Sequence, residues 1–166
     1  MINLNFSLVF GTAFLPLFIG FLWYSDAAFG KLWKKENGFP EDNKSTATVK
    51  IFIATYVLGL FLSVAMYPIS IHQMGLYSML EGNPDLINPE SELSTVVSGL
   101  MAKYGSNFRS FKHGALHGVI MGIFFALPVI SINAMFENKS WKYIGIHIGY
   151  WLLTLGLMGG IICQWA

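Results

Sequence analysis

The sequence predicts an all-α, polytopic membrane protein in which four transmembrane helices form a small bundle. Of its 166 residues, 54% are hydrophobic and only 11% are charged, against roughly 25% charged in an average soluble domain. Mean hydropathy is +0.55, and the charged side chains are confined to three short stretches between long apolar runs. A water-soluble chain needs a polar surface that this one lacks, so lipid is its expected solvent.

Four apolar runs have the length of a membrane span. They cover about residues 2–24, 49–74, 111–136 and 143–165. Each supplies the ~20 residues that cross a ~30 Å hydrocarbon core at about 1.5 Å per residue. Lipid offers the backbone no hydrogen bonds, so these runs are predicted to be helices, within a single transmembrane domain over residues 1–166. Pro16, Pro68 and Pro128 are expected to kink their spans.

Loops one and two are predicted to contain short amphipathic helices at the membrane surface. In loop one, a helix is expected from Asp26, as N-cap, to Asn37, with Gly38 just past its end. In loop two, Asn88 is the expected N-cap of a helix that Gly105 ends. Apolar residues recur at helical spacing in both segments, which is typical of helices that lie at an interface.

The distribution of cations predicts the orientation. Seven lysines lie in or beside loops one and three: Lys31, Lys34, Lys35, Lys44, Lys50, Lys139 and Lys142. Loop two carries three cations: Lys103, Arg109 and Lys112. The positive-inside rule therefore places loops one and three in the cytoplasm and both termini outside.

Small residues four apart predict close helix packing. The third span has such a row at Gly114, Gly118 and Gly122, and the fourth pairs Gly145 with Gly149 and Gly156 with Gly160. These rows let two backbones approach closely in lipid. They predict packing within the chain, with a homodimer through one of the faces as the alternative.

Three histidines form the first candidate site. His113 and His117 lie four apart at the start of the third span, and His72 lies near the end of the second, on the same predicted side. With a carboxylate from loop two they could complete a shell for zinc or another transition metal. The candidate carboxylates are Glu81, Asp85, Glu90 and Glu92. The alternative is that the histidines bond to headgroups, water or loop carbonyls.

A second polar cluster is expected at the other side of the membrane. Asn133 and Glu137 lie four apart at the end of the third span, and His147 lies one turn into the fourth. Ionisable groups at membrane depth are costly, so a proton relay or a ligand-binding point is one interpretation. The other is a polar clip that fixes the turn between the two spans.

Several function classes are not expected. The formal net charge is only +1, and there is no basic tract, so nucleic acid is not a predicted partner. Cys163 is the single cysteine, which excludes a disulfide within the chain. The sequence has no HExxH, GxSxG or P-loop motif. No cofactor is predicted apart from zinc at the histidines.

Two regions resemble a known family. The first comprises FLWYS at 21–25, FGKLW at 29–33 and NG at 37–38. The second comprises Asn133, FE at 136–137, WK at 141–142, GYW at 149–151 and LMG at 157–159. Together they are similar to the small membrane proteins catalogued as domain of unknown function 1761. The resemblance implies a four-span protein of a bacterial plasma membrane and supplies no activity. It favours the Asn133, Glu137 and His147 region, because the shared positions cluster there.

The leading functional hypothesis is a non-enzymatic bundle that binds a membrane lipid or small ligand, or serves as an accessory subunit of a larger membrane complex. The alternative is transport or metal-ion handling through His72, His113 and His117. An intramembrane enzyme ranks last, because no nucleophile–base pair stands out.

Overall fold

The computed structural model describes residues 4–40 and 48–166, and within these ranges it is helical and contains no strand. Residues 2 and 3 of the predicted first span and Lys44 lie outside the described ranges. In chain order the α-helices are α1 (Phe6–Thr12), α2 (Leu15–Trp23), α3 (Gly30–Asn37), α4 (Val49–Ser70), α5 (Gln73–Met79), α6 (Glu92–Tyr104), α7 (Phe111–Met121), α8 (Leu127–Phe136) and α9 (Trp141–Trp165). The all-α prediction is therefore confirmed.

Four helical stretches are long and apolar enough to cross a membrane. They are Phe6–Trp23, Val49–Ser70, Phe111–Phe136 and Trp141–Trp165. These stretches confirm the predicted four-span bundle. The expected placement of α3 and α6 against the membrane surface stays a prediction.

Prolines accompany the irregular points of two spans. The first span is divided between α1 and α2, and Pro16 lies in the first turn of α2. The third span has a π-helical turn at Gly122–Ala126, followed by α8 with Pro128 in its first turn. Proline lacks an N–H and crowds the preceding turn, so the break falls just before it. Pro68 instead lies within α4, close to its end.

Helix α9 forms the centre of the bundle and packs against all three other spans. Of its most apolar window, 61% is buried inside the protein, against 11% for the third span. Its fully buried residues Met158 and Ile162 join Met66, Tyr67 and Ile71 in the main apolar core. The third span therefore leaves most of its surface for lipid, whereas α9 is covered by protein.

The glycine row of α7 faces α9. A Cβ atom added at Gly118 would overlap the backbone of Leu155, and one at Gly114 would overlap that of Gly159. Close backbone approach of this kind is how helices associate in lipid, where no hydrophobic effect drives them together. The row thus serves packing within the chain. The homodimer stays a prediction.

A few buried polar contacts add to this packing. Thr12 Oγ1 and Ser63 Oγ lie 2.6 Å apart and join the first span to α4. Trp23 Nε1 donates to the carbonyl of Ile146 at 3.0 Å, and this bond joins the first span to α9. Interhelical hydrogen bonds in membranes contribute about 0.6 kcal/mol each on average, so packing has the larger share.

The predicted start of the loop-one helix was wrong. Helix α3 begins at Gly30, and Asp26 forms an ion pair with Lys34 at 2.9 Å instead of capping it. The chain first turns through residues 24–29, because Gly30 N–H bonds to Ser25 O at 2.8 Å. Gly38, in the left-handed conformation at φ 72°, ends the helix as predicted.

The start of the loop-two helix also differs from the prediction. Helix α6 begins at Glu92 with Ser91 as its N-cap, and the Ser91 hydroxyl accepts from the N–H of Ser94 at 3.0 Å. Asn88 accepts from Glu90 N–H at 3.2 Å and so shapes the turn before the helix. Gly105 follows α6, as expected.

Three of the four spans differ in their bounds from the prediction. The first is helical over Phe6–Trp23, with Asn5 as its N-cap, rather than over about 2–24. The second span ends at Ser70 rather than residue 74, and the short helix α5 follows it. The fourth span begins at Trp141 rather than residue 143, because Ser140 Oγ caps it by accepting from Tyr143 N–H at 3.1 Å.

Candidate metal centre and polar cavity

The two candidate sites lie at opposite ends of the bundle. We call the end where α4 meets α5 and α7 begins the histidine end, because it carries His72, His113 and His117. The end where α8 meets α9 is the cavity end. Each span crosses from one end to the other, so the two sites are separated by the length of the bundle.

Capping contacts fix the start of α7, which carries two of the three histidines. Ser110 Oγ accepts from the N–H of His113 at 3.3 Å. The side chain of Gln164, at the end of α9, accepts from Phe111 N–H at 2.8 Å. These bonds satisfy N–H groups that have no partner within the helix, and they set the start of α7 against α9.

Arg109 ties the same segment to the end of α9. Its Nε donates to the carbonyl of Cys163 at 3.0 Å, and a terminal nitrogen donates to the carbonyl of Ala166. A cation at a helix C-terminus complements both the unpaired carbonyls and the negative end of the helix dipole. The segment that precedes His113 is therefore tied to the end of α9.

The three imidazole rings meet edge to edge at the histidine end. The Nε2 atom of His113 lies 2.8 Å from that of His72 and 3.0 Å from that of His117. One ligating atom from each of the three histidines lies within 4.8 Å of the others. The structure thus brings together the three histidines that the sequence analysis grouped, with His72 in the turn between α4 and α5.

Hydrogen bonding alone fits this arrangement poorly. A single imidazole nitrogen directs either one proton or one lone pair along its axis. His113 Nε2 would therefore have to share that one group between two neighbours. A cation at the centre would accept one lone pair from each ring.

The distances also suit a small metal ion. Zinc binds imidazole nitrogen at about 2.0–2.1 Å, so two ligands of a tetrahedral site lie about 3.3–3.4 Å apart. The two close nitrogen pairs would need to separate by about half an ångström to accept such an ion. A rotation of the exposed His72 ring is enough for the first pair, since its side chain lies at the surface.

Phe108 covers one side of the cluster. Its ring centroid lies 5.0 Å from that of His113 and 5.8 Å from that of His72. Its φ of 62° is a left-handed conformation that bulky residues rarely adopt. Such conformations persist where surrounding contacts enforce them, commonly at functional sites. Here the Cys163 thiol donates to the Phe108 carbonyl at 3.3 Å.

The expected carboxylate ligand does not join the histidines. Among the described residues, the cluster of converging metal-ligating groups contains the three histidines alone. The four loop-two carboxylates, Glu81, Asp85, Glu90 and Glu92, are all exposed. His72 is exposed and His113 and His117 are half-buried, so the fourth position of a tetrahedral ion would face water.

At the cavity end, the second predicted cluster lines a cavity of about 250 Å³. Asn133, Glu137 and His147 supply polar groups to it, and Tyr143 and Trp151 supply aromatic surface. The structure thus brings the three predicted residues to one space. No hydrogen bond joins His147 to Asn133 or Glu137 in the part of the chain that the structure describes, so the expected direct clip does not form.

Tyr24 is the partner of His147, and sequence reasoning missed it. Tyr24 Oη and His147 Nδ1 lie 2.9 Å apart. A phenol has an ordinary pKa of about 10, so the Tyr24 hydroxyl keeps its proton at neutral pH. The Nε2 atom of His147 is buried and has no hydrogen-bond partner among the described residues. Tyr24 follows the last residue of α2. A tyrosine at the end of a span is ordinarily interpreted as a headgroup anchor, so the sequence did not suggest a contact with His147.

Comparison with known proteins places the chain in a family. It matches no curated protein and no solved structure. A family model described as protein of unknown function (DUF1761) matches residues 7–163, which include nearly all of the four spans and both candidate sites. This match confirms the resemblance seen in the sequence: the chain belongs to the DUF1761 family.

Proposed function

We propose that this protein binds an exchangeable divalent transition-metal ion, Zn²⁺ first, through His72, His113 and His117 at one surface of a membrane. The observation that carries the proposal is the convergence of three Nε2 atoms, with His113 at 2.8 Å and 3.0 Å from its two neighbours. This makes the metal-handling alternative the better-supported function. The lipid-binding and accessory-subunit hypotheses stay predictions.

The ligand set favours a particular group of metals. Neutral imidazoles suit zinc, copper and nickel, whereas calcium and magnesium prefer oxygen ligands. Cys163 belongs to α9 and bonds to Phe108, so no thiolate joins the cluster to select softer ions.

Exchange rather than permanent binding follows from the position of the site. Structural zinc sites have four protein ligands, whereas sites with three ligands leave a position for water or another molecule. The three histidines lie at the end of the bundle, and His72 is exposed. An ion bound here could be taken from solution and passed on.

Metal handling is proposed rather than catalysis. The residues between the two α7 histidines, Gly114, Ala115 and Leu116, offer no general base.

The lysines support an orientation for the site. Six described lysines lie beside loops one and three, at the cavity end: Lys31, Lys34, Lys35, Lys50, Lys139 and Lys142. By the positive-inside rule the cavity end faces the cytoplasm and the histidine end faces outward. We propose a bacterial plasma membrane, with the metal site on its outer side.

Metal stoichiometry tests the proposal. Detergent-purified protein, stripped with a chelator and dialysed against Zn²⁺, is expected to retain one ion per chain. The variant with His72, His113 and His117 all replaced by alanine should retain close to none. Elemental analysis of the dialysed samples measures both values.

Glu81→Gln is the matched control, because it removes an exposed carboxylate on the same side without touching the histidines. It should bind zinc as the wild type does. Circular dichroism and gel filtration establish that the triple variant keeps its fold. A folded triple variant that still retains one zinc ion per chain would rule out this site.

A further inference from the structure

The cavity at the cavity end is lined by polar side chains that take no part in the proposed metal site. The cavity of about 250 Å³ is lined by Asn133, Glu137, Tyr143 and His147, with Ile130 and Trp151 as apolar walls. This volume is below the ~300–1,000 Å³ of pockets that hold drug-sized ligands, so a small polar group fits it better.

His147 presents a hydrogen-bond donor. Tyr24 Oη lies 2.9 Å from Nδ1. We assign the hydroxyl as the donor, because a phenol is more acidic than a neutral imidazole N–H and an unprotonated imidazole nitrogen is the better acceptor. In the neutral ring the remaining proton is then on Nε2. That N–H is buried without a partner among the described residues, and an unsatisfied buried donor carries an energetic cost. A ligand oxygen in the cavity would remove this cost.

Glu137 presents the complementary charge. Among residues 4–40 and 48–166, the structure contains one ion pair, between Lys34 and Asp26. Glu137 therefore has no cationic partner within these residues. Asn133, one turn earlier on the same helix, adds an amide carbonyl oxygen to the same cavity. The cavity thus has two acceptors, one of them anionic, beside the aromatic rings of Tyr143 and Trp151. An ammonium group is recognised by features of this kind.

One cation lies near the cavity, on a lysine that is not itself a lining residue but approaches the lining residue Tyr143. Lys139 Nζ lies 5.4 Å from the centre of the Tyr143 ring. Together with the Nε2–H of His147 it suits a phosphate, while Glu137 and Asn133 suit an amine. Donor groups and acceptor groups are therefore both present at this cavity.

We infer that the cavity binds a phosphoethanolamine group, with its ammonium at Glu137 and Asn133 and its phosphate oxygens at His147 and Lys139. A membrane lipid and a free small molecule can both supply this group. The site is at the end of the bundle opposite the three histidines and works independently of them.

Lipid retention in native mass spectrometry tests the inference. Protein is released from nanodiscs made of equal parts phosphatidylethanolamine, phosphatidylcholine and phosphatidylglycerol with the same acyl chains. The wild type is expected to keep one phosphatidylethanolamine. Glu137→Gln should lower that retention about tenfold or more, because it removes a charged hydrogen-bond acceptor. Asp26→Asn, an exposed carboxylate outside the cavity, is the matched control and should behave as the wild type.

Free phosphoethanolamine distinguishes the two sources. If it displaces the lipid, the headgroup chemistry alone is sufficient and a soluble ligand can occupy the site. If it does not, the lipid is the ligand, and its chains contribute to binding. Equal retention of phosphatidylcholine, which has no N–H, or unchanged retention in Glu137→Gln would overturn the inference. None of these outcomes bears on zinc binding, so the two proposals can fail separately.

Discussion

Replacing His113 by alanine is expected to lower the affinity for Zn²⁺ by about 100-fold or more. Structural zinc sites with four ligands bind with about 10–16 kcal/mol, or about 2.5–4 kcal/mol per ligand. Since about 1.4 kcal/mol corresponds to a tenfold change, one lost ligand costs roughly 100- to 1,000-fold. The Nε2 of His113 lies within 3.0 Å of both neighbours, so its loss removes both close nitrogen contacts of the cluster.

Titration against a competing chelator in detergent measures this affinity. His72→Ala is expected to have a smaller effect, because His113 and His117 remain paired on one helix. A water can take the place of the exposed His72 ring. Equal zinc affinity in His113→Ala and the wild type, with the fold intact, would contradict the assigned role of His113.

Replacing Gly118 by valine is expected to have the largest effect on stability. A Cβ atom at this position would overlap the Leu155 carbonyl and lie 2.8 Å from the Gly156 Cα atom. Neither backbone can move without separating α7 from α9. Overpacking costs about 1–3 kcal/mol when side chains alone must shift, so a backbone clash should cost at least about 3 kcal/mol. Zinc binding should fall as well, because His113 and His117 are carried by α7.

Gly145→Ala provides the matched comparison. It is also a glycine in a membrane-spanning helix, but an added Cβ there meets nothing within 4 Å. Alanine favours a helix over glycine by about 0.5–1 kcal/mol, so this variant should be as stable as the wild type or slightly more stable. Thermal unfolding in detergent measures both. Equal melting temperatures for Gly118→Val and the wild type would mean that α7 does not pack on α9 through this row.

The spans could be predicted from the sequence because the constraint that creates them is local. A run of about 20 apolar residues in lipid must satisfy its backbone within itself, whatever surrounds it. Pro16 and Pro128 predicted the irregular points of two spans for the same reason. Proline has no N–H, and the hydrogen bond that is lost lies within one turn of the helix. The helix starts in the loops were harder, because Asp26, Asn88 and Ser91 all have side chains that suit an N-cap. Ser91 is the residue that caps α6.

The candidate sites were only partly visible in the sequence. The four-residue spacing placed His113 and His117 on one face of a helix, and span topology brought His72 to the same side. The pairing of Tyr24 with His147 joins residues 123 positions apart. It depends on how the first span packs against α9, which no local pattern specifies. Phe108 was missed for a similar reason: its φ is 62°, and its carbonyl accepts from the thiol of Cys163, which is distant in the sequence.

X-ray absorption at the zinc edge, on protein loaded with one equivalent of Zn²⁺ in detergent, tests the central claim most directly. The three-histidine site predicts three imidazole nitrogens at about 2.0–2.1 Å from the zinc ion, with a water oxygen in the fourth position. The imidazole signal should disappear in the variant that lacks His72, His113 and His117. A spectrum dominated by carboxylate oxygen or by sulfur, or one unchanged in that variant, would contradict the assignment.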